Sequence, residues 1–294
     1  MPGVTLDLGA AWLAAMRRGD FASCWSISDE VLAQRVANGP CWHLPRHEQW
    51  VWDGRPLEGK KVLVRCYHGL GDTIQFARFL PALGAMAREV VVWAPAPLLP
   101  LLRNVDCALG LLALHDGTPE VDYDVDIEIM ELGHALRIDA AALPGPVPYV
   151  HVRAAGRFSD TFSVGLVARA GEWDVSRDVP AQQLGRVWPN GYSLQLGTPI
   201  PGTVDASTPD MMELAARINA LDLVISVDTM VAHLAGALGV PVWTLLKADA
   251  DWRWMADRSD SPWYPTMRLF RQRRPGNWDD VLDEVRAEVS RCTH

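Results

Sequence analysis

Residues 61–81 read KVLVRCYHGLGDTIQFARFLP, and they join a strand, a glycine turn and a helix in one continuous unit. The first seven residues are rich in Val and Leu and alternate little, which predicts a strand covered on both faces. Gly69 and Gly71 predict a turn with positive φ that lets a ligand approach the backbone, and Asp72 is placed to cap the following helix. Because ligands bind beyond the carboxyl ends of strands in open α/β sheets, this turn predicts one wall of a cleft.

The composition describes a globular protein without general affinity for polyanions. The chain has 294 residues, 49% of them apolar, which is enough for two small domains or one large domain. Its net charge of −9 argues against nucleic acid or an anionic membrane as a partner. We expect no transmembrane segment and no signal peptide. The five scattered cysteines are typical of reduced thiols, so a cytoplasmic location is expected.

Residues 1–58 predict a helical hairpin and a connector. Residues 10–35 show helical periodicity that is interrupted at Gly19 and Asp20, which predicts two helices. The pair loosely resembles one tetratricopeptide unit. Since a single unit cannot bury its apolar face alone, we expect it to pack on the domain that follows.

Residues 59–145 predict a first domain in which strands and helices alternate. Pro81 is expected to kink or restart the helix that begins at Asp72. Further strands are predicted at residues 89–93, 109–114 and 123–130, with a short helix at residues 97–103. This alternation predicts a parallel sheet with right-handed crossovers. Residues 139–160 are rich in Pro and Gly, as an interdomain linker is.

Residues 161–276 predict a second domain of the same kind, followed by a C-terminal helix within residues 277–294. The predicted strands are residues 163–168, 192–196, 223–227, 240–246 and 267–270. The predicted helices are residues 181–187, residues 211–220 and one that begins at Thr229. The fold class is therefore α/β, with two Rossmann-like domains that face each other across a cleft.

A second strand, turn and helix unit occurs at residues 223–239, LVISVDTMVAHLAGALG. Asp228 is predicted as the helix cap, and Thr229 and His233 lie four residues apart on one face. The N-terminus of a helix offers free N–H groups and a positive dipole end, which suits a pyrophosphate. A histidine on a helix is by itself more often a packed residue than a ligand contact, so both interpretations of His233 stay open.

Four acidic residues alternate along the predicted strand at residues 123–130 and just before it. They are Asp122, Asp124, Asp126 and Glu128. Two of them spell the DxD pattern of some metal-dependent transferases. The alternation instead predicts a half-exposed edge strand with its acidic face in solvent, and we expect no metal site there.

The two units together resemble the heptosyltransferase-like glycosyltransferases, in particular the bacterial branch often fused to tetratricopeptide helices. The resemblance rests on GLGDTIQFARFLP, on DTMVAHL and on residues 251–272, DWRWMADRSDSPWYPTMRLFRQ. It implies the GT-B architecture, with the acceptor on the first domain and a nucleotide-sugar on the second. It also implies that Asp72 is the general base and that Asp228, Thr229 and His233 bind the donor phosphates.

Other positions follow from the same resemblance, and some depart from it. Tyr67 and His68 replace the Glu-Gln that relatives commonly carry, so the acceptor side of the cleft, with His68, Gly69 and Gly71, is altered. On the donor side, Arg169 is placed to meet the phosphates and Gln195 belongs to the shared Ser-Leu-Gln. The loop from residue 168 to residue 178 is short compared with relatives. Arg253 either faces the cleft or braces a loop.

The resemblance implies transfer of a sugar from a nucleotide-sugar to an acceptor hydroxyl by inverting, metal-independent displacement. The acceptor is a saccharide, a lipid-linked sugar or a protein, and no cofactor is expected. A non-catalytic module that binds a sugar-nucleotide or a partner is the first alternative. A sugar-nucleotide epimerase or hydrolase is the second.

Overall fold

The computed structural model describes residues 7–292 except residues 40, 140, 142 and 144. This part of the chain begins with helices α1 at Leu8–Arg17 and α2 at Phe21–Asn38. The carboxylates of Asp7 and Asp20 each accept a hydrogen bond from a backbone N–H three residues ahead, which caps both helices. The predicted hairpin is confirmed.

The hairpin packs on both domains. The rings of Trp12 and Trp252 meet edge to face with their centroids 5.2 Å apart. The indole N–H of Trp25 donates to the carbonyl of Ile138 at 2.7 Å. The expected packing on the following domain is therefore correct, and the contact with Trp252 extends it to the second domain.

The first domain is built on a four-stranded parallel sheet. Its strands are β1 at Lys61–Arg65, β2 at Glu89–Ala94, β3 at Gly110–Ala113 and β4 at Val125–Glu128, in the order β3-β2-β1-β4. Its helices are α3 at Leu70–Ala77, α4 at Leu80–Met86, α5 at Leu99–Leu102 and α6 at Leu132–Ala135. Pro81 stands in the first turn of α4, so the predicted restart of the helix is confirmed.

The second domain is built on a six-stranded parallel sheet in the order β10-β9-β8-β5-β6-β7. Its strands are β5 at Val164–Val167, β6 at Tyr192–Ser193, β7 at Val204–Asp205, β8 at Leu223–Val227, β9 at Val242–Leu246 and β10 at Met267–Arg271. Its helices are α7 at Ala181–Val187, α8 at Met211–Ile218, α9 at Met230–Ala237 and α10 at Asp279–Cys292. The two-residue strand β7 was not predicted, because so short an edge strand has no periodicity.

The two domains meet through α3 and α9, each of which follows the strand that leads to the cleft. A Cβ added at Gly71 would lie 2.8 Å from Cδ2 of His233, so the glycine permits this close approach. The α/β class and the GT-B architecture are confirmed. The domain boundaries stay predictions, and parts of the linker and both chain ends lie outside the described residues.

The glycine turn before α3 differs from the prediction. Gly69 has a φ of −66° and is the N-cap residue, and Gly71 lies inside the helix without a positive φ. Asp72 is the third helical residue, and its Oδ2 accepts a hydrogen bond from the Gly69 N–H at 3.0 Å. The predictions of a positive-φ turn and of Asp72 as the cap are wrong, because the helix begins two residues earlier.

We expect Gly71→Ala to reduce the free energy of unfolding by about 1–3 kcal/mol, because the new methyl group meets the buried His233 ring. Helix propensity alone favours alanine by about 1 kcal/mol. A net loss of unfolding free energy would therefore come from the close contact between α3 and α9. Urea denaturation measures it. Gly156→Ala is the control, since its Cβ would meet no atom within 4 Å. Equal stability of both variants would contradict the close packing of α3 on α9.

The acidic face predicted for residues 122–128 is only partly in solvent. Asp122 and Asp124 are exposed, but Asp126 and Glu128 are buried, although β4 is an edge strand of the sheet. Asp126 pairs with the buried Arg65 at 2.7 Å. The half-exposed strand is therefore wrong for Asp126 and Glu128, because the hairpin and connector cover this edge.

Candidate active site

Asp72 and Arg253 form an ion pair at the junction of the two domains. Nη2 of Arg253 lies 2.6 Å from Oδ1 of Asp72, and the side chains are 11% and 20% exposed. Because Oδ2 of Asp72 accepts the Gly69 N–H, both carboxylate oxygens have partners. The sequence left open whether Arg253 faces the cleft or braces a loop, and the structure places it against the candidate base.

Arg253 belongs to the second domain and also interacts with carboxylates there. Burial opposes its charge, but the carboxylates of Asp251, Asp72 and Asp228 outweigh burial and raise the pKa of Arg253. Burial raises the pKa of Asp228, and Arg253 opposes that shift. One buried cation therefore connects the two motifs that the sequence singled out.

The start of α9 differs by one residue from the prediction. Thr229 is the N-cap residue, and its side chain makes no capping hydrogen bond. Asp228 precedes the cap and is buried, and its carbonyl accepts a hydrogen bond from Nη1 of Arg177 at 3.0 Å. Asp228 as the cap is therefore wrong, and the free Thr229 hydroxyl stands at the helix N-terminus.

His233 is enclosed beneath this terminus. Its Nδ1 lies 2.9 Å from the Tyr264 hydroxyl, and its ring stacks on Trp254 with centroids 5.3 Å apart. Its Nε2 lies 3.9 Å from Oδ1 of Asp228. Burial lowers the pKa of His233 well below its ordinary value, so the ring is neutral. In this structure His233 packs between the domains, and its contact with a donor stays a proposal.

A pocket of about 590 Å³ opens on the second domain at the carboxyl ends of its strands. Arg169, Lys247 and Gln272 line it directly after β5, β9 and β10. Nζ of Lys247 lies 2.7 Å from Oδ2 of Asp174. Gln272 is 4% exposed, and its Nε2 has no hydrogen-bond partner within the described residues. We refer to this space as the donor pocket because Arg169, for which the sequence predicts a donor contact, lines it; that contact stays a prediction.

Sequence reasoning missed Lys247 and Gln272, although a signal was present. Lys247 directly follows a predicted strand, as Arg169 does, and Gln272 lies two residues beyond one, and polar residues at such positions face the ligand crevice of α/β sheets.

Gln195 holds the backbone of the loop that carries Arg169 into the donor pocket. Its Oε1 accepts the N–H groups of Ala168 and Arg169, and its Nε2 donates to the carbonyl of Thr198 at 2.8 Å. Its polar atoms are thus engaged with the backbone. The structure places Arg169 at the pocket and Gln195 in the support of the loop that carries Arg169.

A larger cavity of about 680 Å³ lies between the hairpin, the connector and the first domain, and we refer to it as the hairpin cavity. His68 and Glu128 line it, and we refer to the part of the cavity that they line as its inner end; Nε2 of His68 lies 4.0 Å from Oε2 of Glu128. Burial raises the pKa of Glu128 to about 8 and lowers that of His68, so both are uncharged at neutral pH. Sequence reasoning missed Glu128 as a cavity residue because its alternation indicated solvent.

We expect Glu128→Gln to change how stability depends on pH. A raised pKa in the folded state stabilises the protein below the ordinary value of 4.5, and this is lost as pH rises to about 8. The unfolding free energy of the wild type should therefore fall relative to Glu128→Gln by about 1.4 kcal/mol per pH unit in that window. Chemical denaturation at several pH values measures it, with the exposed Glu120→Gln as control. A difference that does not vary with pH would contradict the protonated state.

Two features are absent from the part of the chain that the structure describes. No three His, Cys, Asp or Glu side chains there are grouped so as to hold a metal ion. No helix there is both long and apolar enough to cross a membrane.

The fold defines a class: a GT-B protein, with the candidate base Asp72 on one domain and a pocket lined by Arg169 and Lys247 on the other. Residues 206–274 match the sequence profile of glycosyltransferase family 9 (heptosyltransferase). That segment contains Asp228, Thr229, His233 and Arg253. The resemblance to heptosyltransferase-like glycosyltransferases is thereby confirmed, and the fusion to tetratricopeptide helices stays a prediction.

Solved structures share the fold at low sequence identity. The family 9 glycosyltransferase of Veillonella parvula DSM 2008 is 13% identical, with a TM-score of 0.53 over 81% of this chain and 97% of that one. The dodecameric iron-containing glycosyltransferase TibC of enterotoxigenic E. coli H10407 is 15% identical, with a TM-score of 0.54 over 77% of this chain and 67% of that one.

Among curated proteins, the protein FlbA of Caulobacter vibrioides is 24% identical over 339 residues. The match covers 97% of this chain and 55% of FlbA, so the chain spans about half the length of that relative.

Proposed function

We propose that the protein is a glycosyltransferase that moves a sugar from a nucleotide-sugar to an acceptor hydroxyl with inversion. The observation that carries the proposal is the position of Arg253. Its guanidinium pairs with Asp72 at 2.6 Å, and its charge opposes the burial that raises the pKa of Asp228. A buried cation between a carboxylate and the N-terminus of α9 is suited to a departing diphosphate, whose negative charge grows during transfer.

The donor pocket is the proposed site of the nucleotide. Lys247 and Arg169 supply cations for the phosphates, and the free N–H groups at the start of α9 add a positive dipole end. The unpartnered Nε2 of Gln272 is available to donate to the nucleotide, since a buried donor without a partner is costly.

The proposed reaction is a single displacement. The bond between C1 of the sugar and the phosphate oxygen breaks, and its electron pair stays on the nucleoside diphosphate. The acceptor oxygen bonds to C1 from the opposite face, which inverts the configuration, and its proton passes to Asp72. Asp72 becomes available when the donor diphosphate offers Arg253 a second anionic partner in place of the carboxylate.

The proposal includes no metal ion and no organic cofactor, because Arg253, Lys247 and the α9 terminus supply positive charge for the leaving group. It also includes a cytoplasmic location, which is supported by the free thiols of Cys24, Cys41, Cys66 and Cys107.

We expect Lys247→Ala to weaken nucleoside diphosphate binding by about 1–3 kcal/mol, because one charge-assisted hydrogen bond is lost. Calorimetry in excess EDTA measures it and tests independence from metal at the same time. Lys60→Ala, at an exposed position of the first domain, is the matched control and should bind as the wild type does. Binding that requires Mg²⁺, or that survives Lys247→Ala unchanged, would contradict this donor site.

A non-catalytic module that binds a sugar-nucleotide is the second candidate. One observation favours it: two residues that the resemblance implies for the donor make hydrogen bonds within the protein, His233 through Nδ1 and Gln195 through both atoms of its side-chain amide. Such a module would bind nucleoside diphosphate without turnover of any nucleotide-sugar.

A further inference from the structure

We propose that the hairpin cavity binds the acceptor and that this acceptor carries its hydroxyl group on an uncharged, apolar scaffold. That the occupant is an acceptor rests on the proposed function, whereas the chemistry of the occupant follows from the cavity alone.

The walls of the cavity are apolar over most of their surface. Trp12, Met16, Ile27 and Val31 come from the hairpin, and Phe76 of the first domain and Trp252 of the second domain also line the cavity. Aliphatic and aromatic side chains of this kind stabilise an apolar ligand by removing its surface from water.

Charge on the cavity lining argues against an anionic occupant. Among the described residues that line it, Arg35 is the one arginine or lysine. That guanidinium pairs with Glu131 at 2.8 Å and stacks over the Trp50 ring at 3.8 Å from its centroid. A phosphate or carboxylate in the cavity would therefore lose water without gaining a cation, which is a large penalty.

The inner end of the cavity is polar but uncharged. His68 and Glu128 stand there, and their side chains are 31% and 3% exposed. Oε2 of Glu128 accepts the Met130 N–H at 2.7 Å, which fixes the carboxyl group. A neutral imidazole and a protonated carboxyl group can accept from and donate to a hydroxyl group, so this end suits an alcohol.

The same end lies beside the candidate base, since the charge of Asp72 acts on the pKa of both His68 and Glu128. Phe76 lines the cavity, and Asp72 lies one helical turn before it on the same face of α3. Trp252 lines the cavity, and the next residue, Arg253, pairs with Asp72. A hydroxyl group held by His68 and Glu128 would therefore be delivered to the edge of the reaction centre.

The first test compares neutral and anionic probes that share one scaffold, titrated by calorimetry below their micelle-forming concentrations. Octyl β-glucoside should bind about tenfold or more tightly than octyl β-glucuronide, because the latter differs only in a carboxylate that replaces the C6 hydroxymethyl group. A second pair, the capped peptides Leu-Ser-Leu and Asp-Ser-Asp, repeats the comparison of neutral and anionic probes on a peptide. The affinity of Leu-Ser-Leu relative to that of octyl β-glucoside identifies whether a peptide or a glycoside source of the alcohol is preferred. Glucuronide binding as tight as glucoside binding would overturn the proposal.

The second test places the site. Val31→Glu puts a carboxylate into the cavity wall and should weaken glucoside binding about tenfold or more. Val36→Glu on the same helix does not line the cavity, and its side chain is 57% exposed, so it should bind as the wild type does. Equal weakening in both variants, or in neither, would overturn the assignment. If Val31→Glu does not fold, the comparison of glucoside and glucuronide binding to the wild-type protein still tests the proposal.

Nucleoside diphosphate calorimetry on the same variants separates the two proposals. Retained nucleotide binding with loss of glucoside binding in Val31→Glu supports the cavity as a distinct acceptor site. No saturable binding of any neutral probe, with nucleotide binding intact, overturns the cavity inference alone. Probe binding without nucleotide binding overturns the proposed function and leaves the ligand chemistry of the cavity supported.

Discussion

Asp72→Asn is expected to lower the rate of sugar transfer about 100-fold or more while nucleoside diphosphate affinity stays nearly unchanged. The amide keeps the shape of the carboxylate and still accepts from Arg253, but it cannot take a proton from the acceptor. Steady-state rates with the acceptor varied, together with calorimetry of the nucleotide, separate these two effects.

Asp251→Asn is the matched control for the base. Oδ1 of Asp251 lies 3.4 Å from Nε of Arg253, so this variant also removes a charge beside the same guanidinium. It should lose far less activity than Asp72→Asn, since Asp251 is not the base. More than about a tenth of the wild-type rate in Asp72→Asn would contradict the role, because a positioned base contributes about 100-fold or more.

Arg253→Ala is the second change with a large expected effect. It removes the cation that faces Asp72, Asp228 and Asp251, so we expect transfer to fall about 100-fold or more. We also expect a loss of about 3 kcal/mol in the unfolding free energy, because removal of one partner leaves buried carboxylates unpaired.

Arg253→Lys separates a catalytic role from a bracing role and remains available if the alanine variant does not fold. Lysine keeps the charge but not the planar fork, so partial recovery of nucleotide affinity and rate is expected. If Arg253 only braces the loop, the lysine variant would lose stability while its nucleotide affinity and its rate per folded molecule stay at wild-type values.

The two strand, turn and helix units could be predicted because their signals are local. Residues 61–81 and 223–239 each hold a buried strand and a helix start within about twenty residues, and both appear in the structure. The helix starts were misplaced at Asp72 and Asp228. Asp is a strong capping residue, but the N-cap residues in the structure are Gly69 for α3 and Thr229 for α9.

Contacts between distant residues could not be predicted from the pattern. Asp72 and Arg253 are separated by 181 residues and belong to different domains, so the pair depends on how the two domains pack against each other. Glu128 shows the same limit, since its alternation with apolar residues indicates solvent on one face. The hairpin and connector cover that face, so the carboxyl group of Glu128 is buried.

Acceptor-dependent release of nucleoside diphosphate distinguishes a glycosyltransferase from a hydrolase and from a binding module. The wild-type protein is incubated with a panel of nucleotide-sugars, with and without an apolar alcohol such as octyl β-glucoside, and both the nucleotide and the glycosylated product are quantified. For a glycosyltransferase, we expect one nucleotide-sugar to give nucleoside diphosphate and glycosylated product in equal amounts, and only when the alcohol is present. We expect Asp72→Asn to abolish the release of both. Equal release without any acceptor would identify a hydrolase instead, and binding of the nucleotide-sugar without turnover under any condition would contradict a glycosyltransferase.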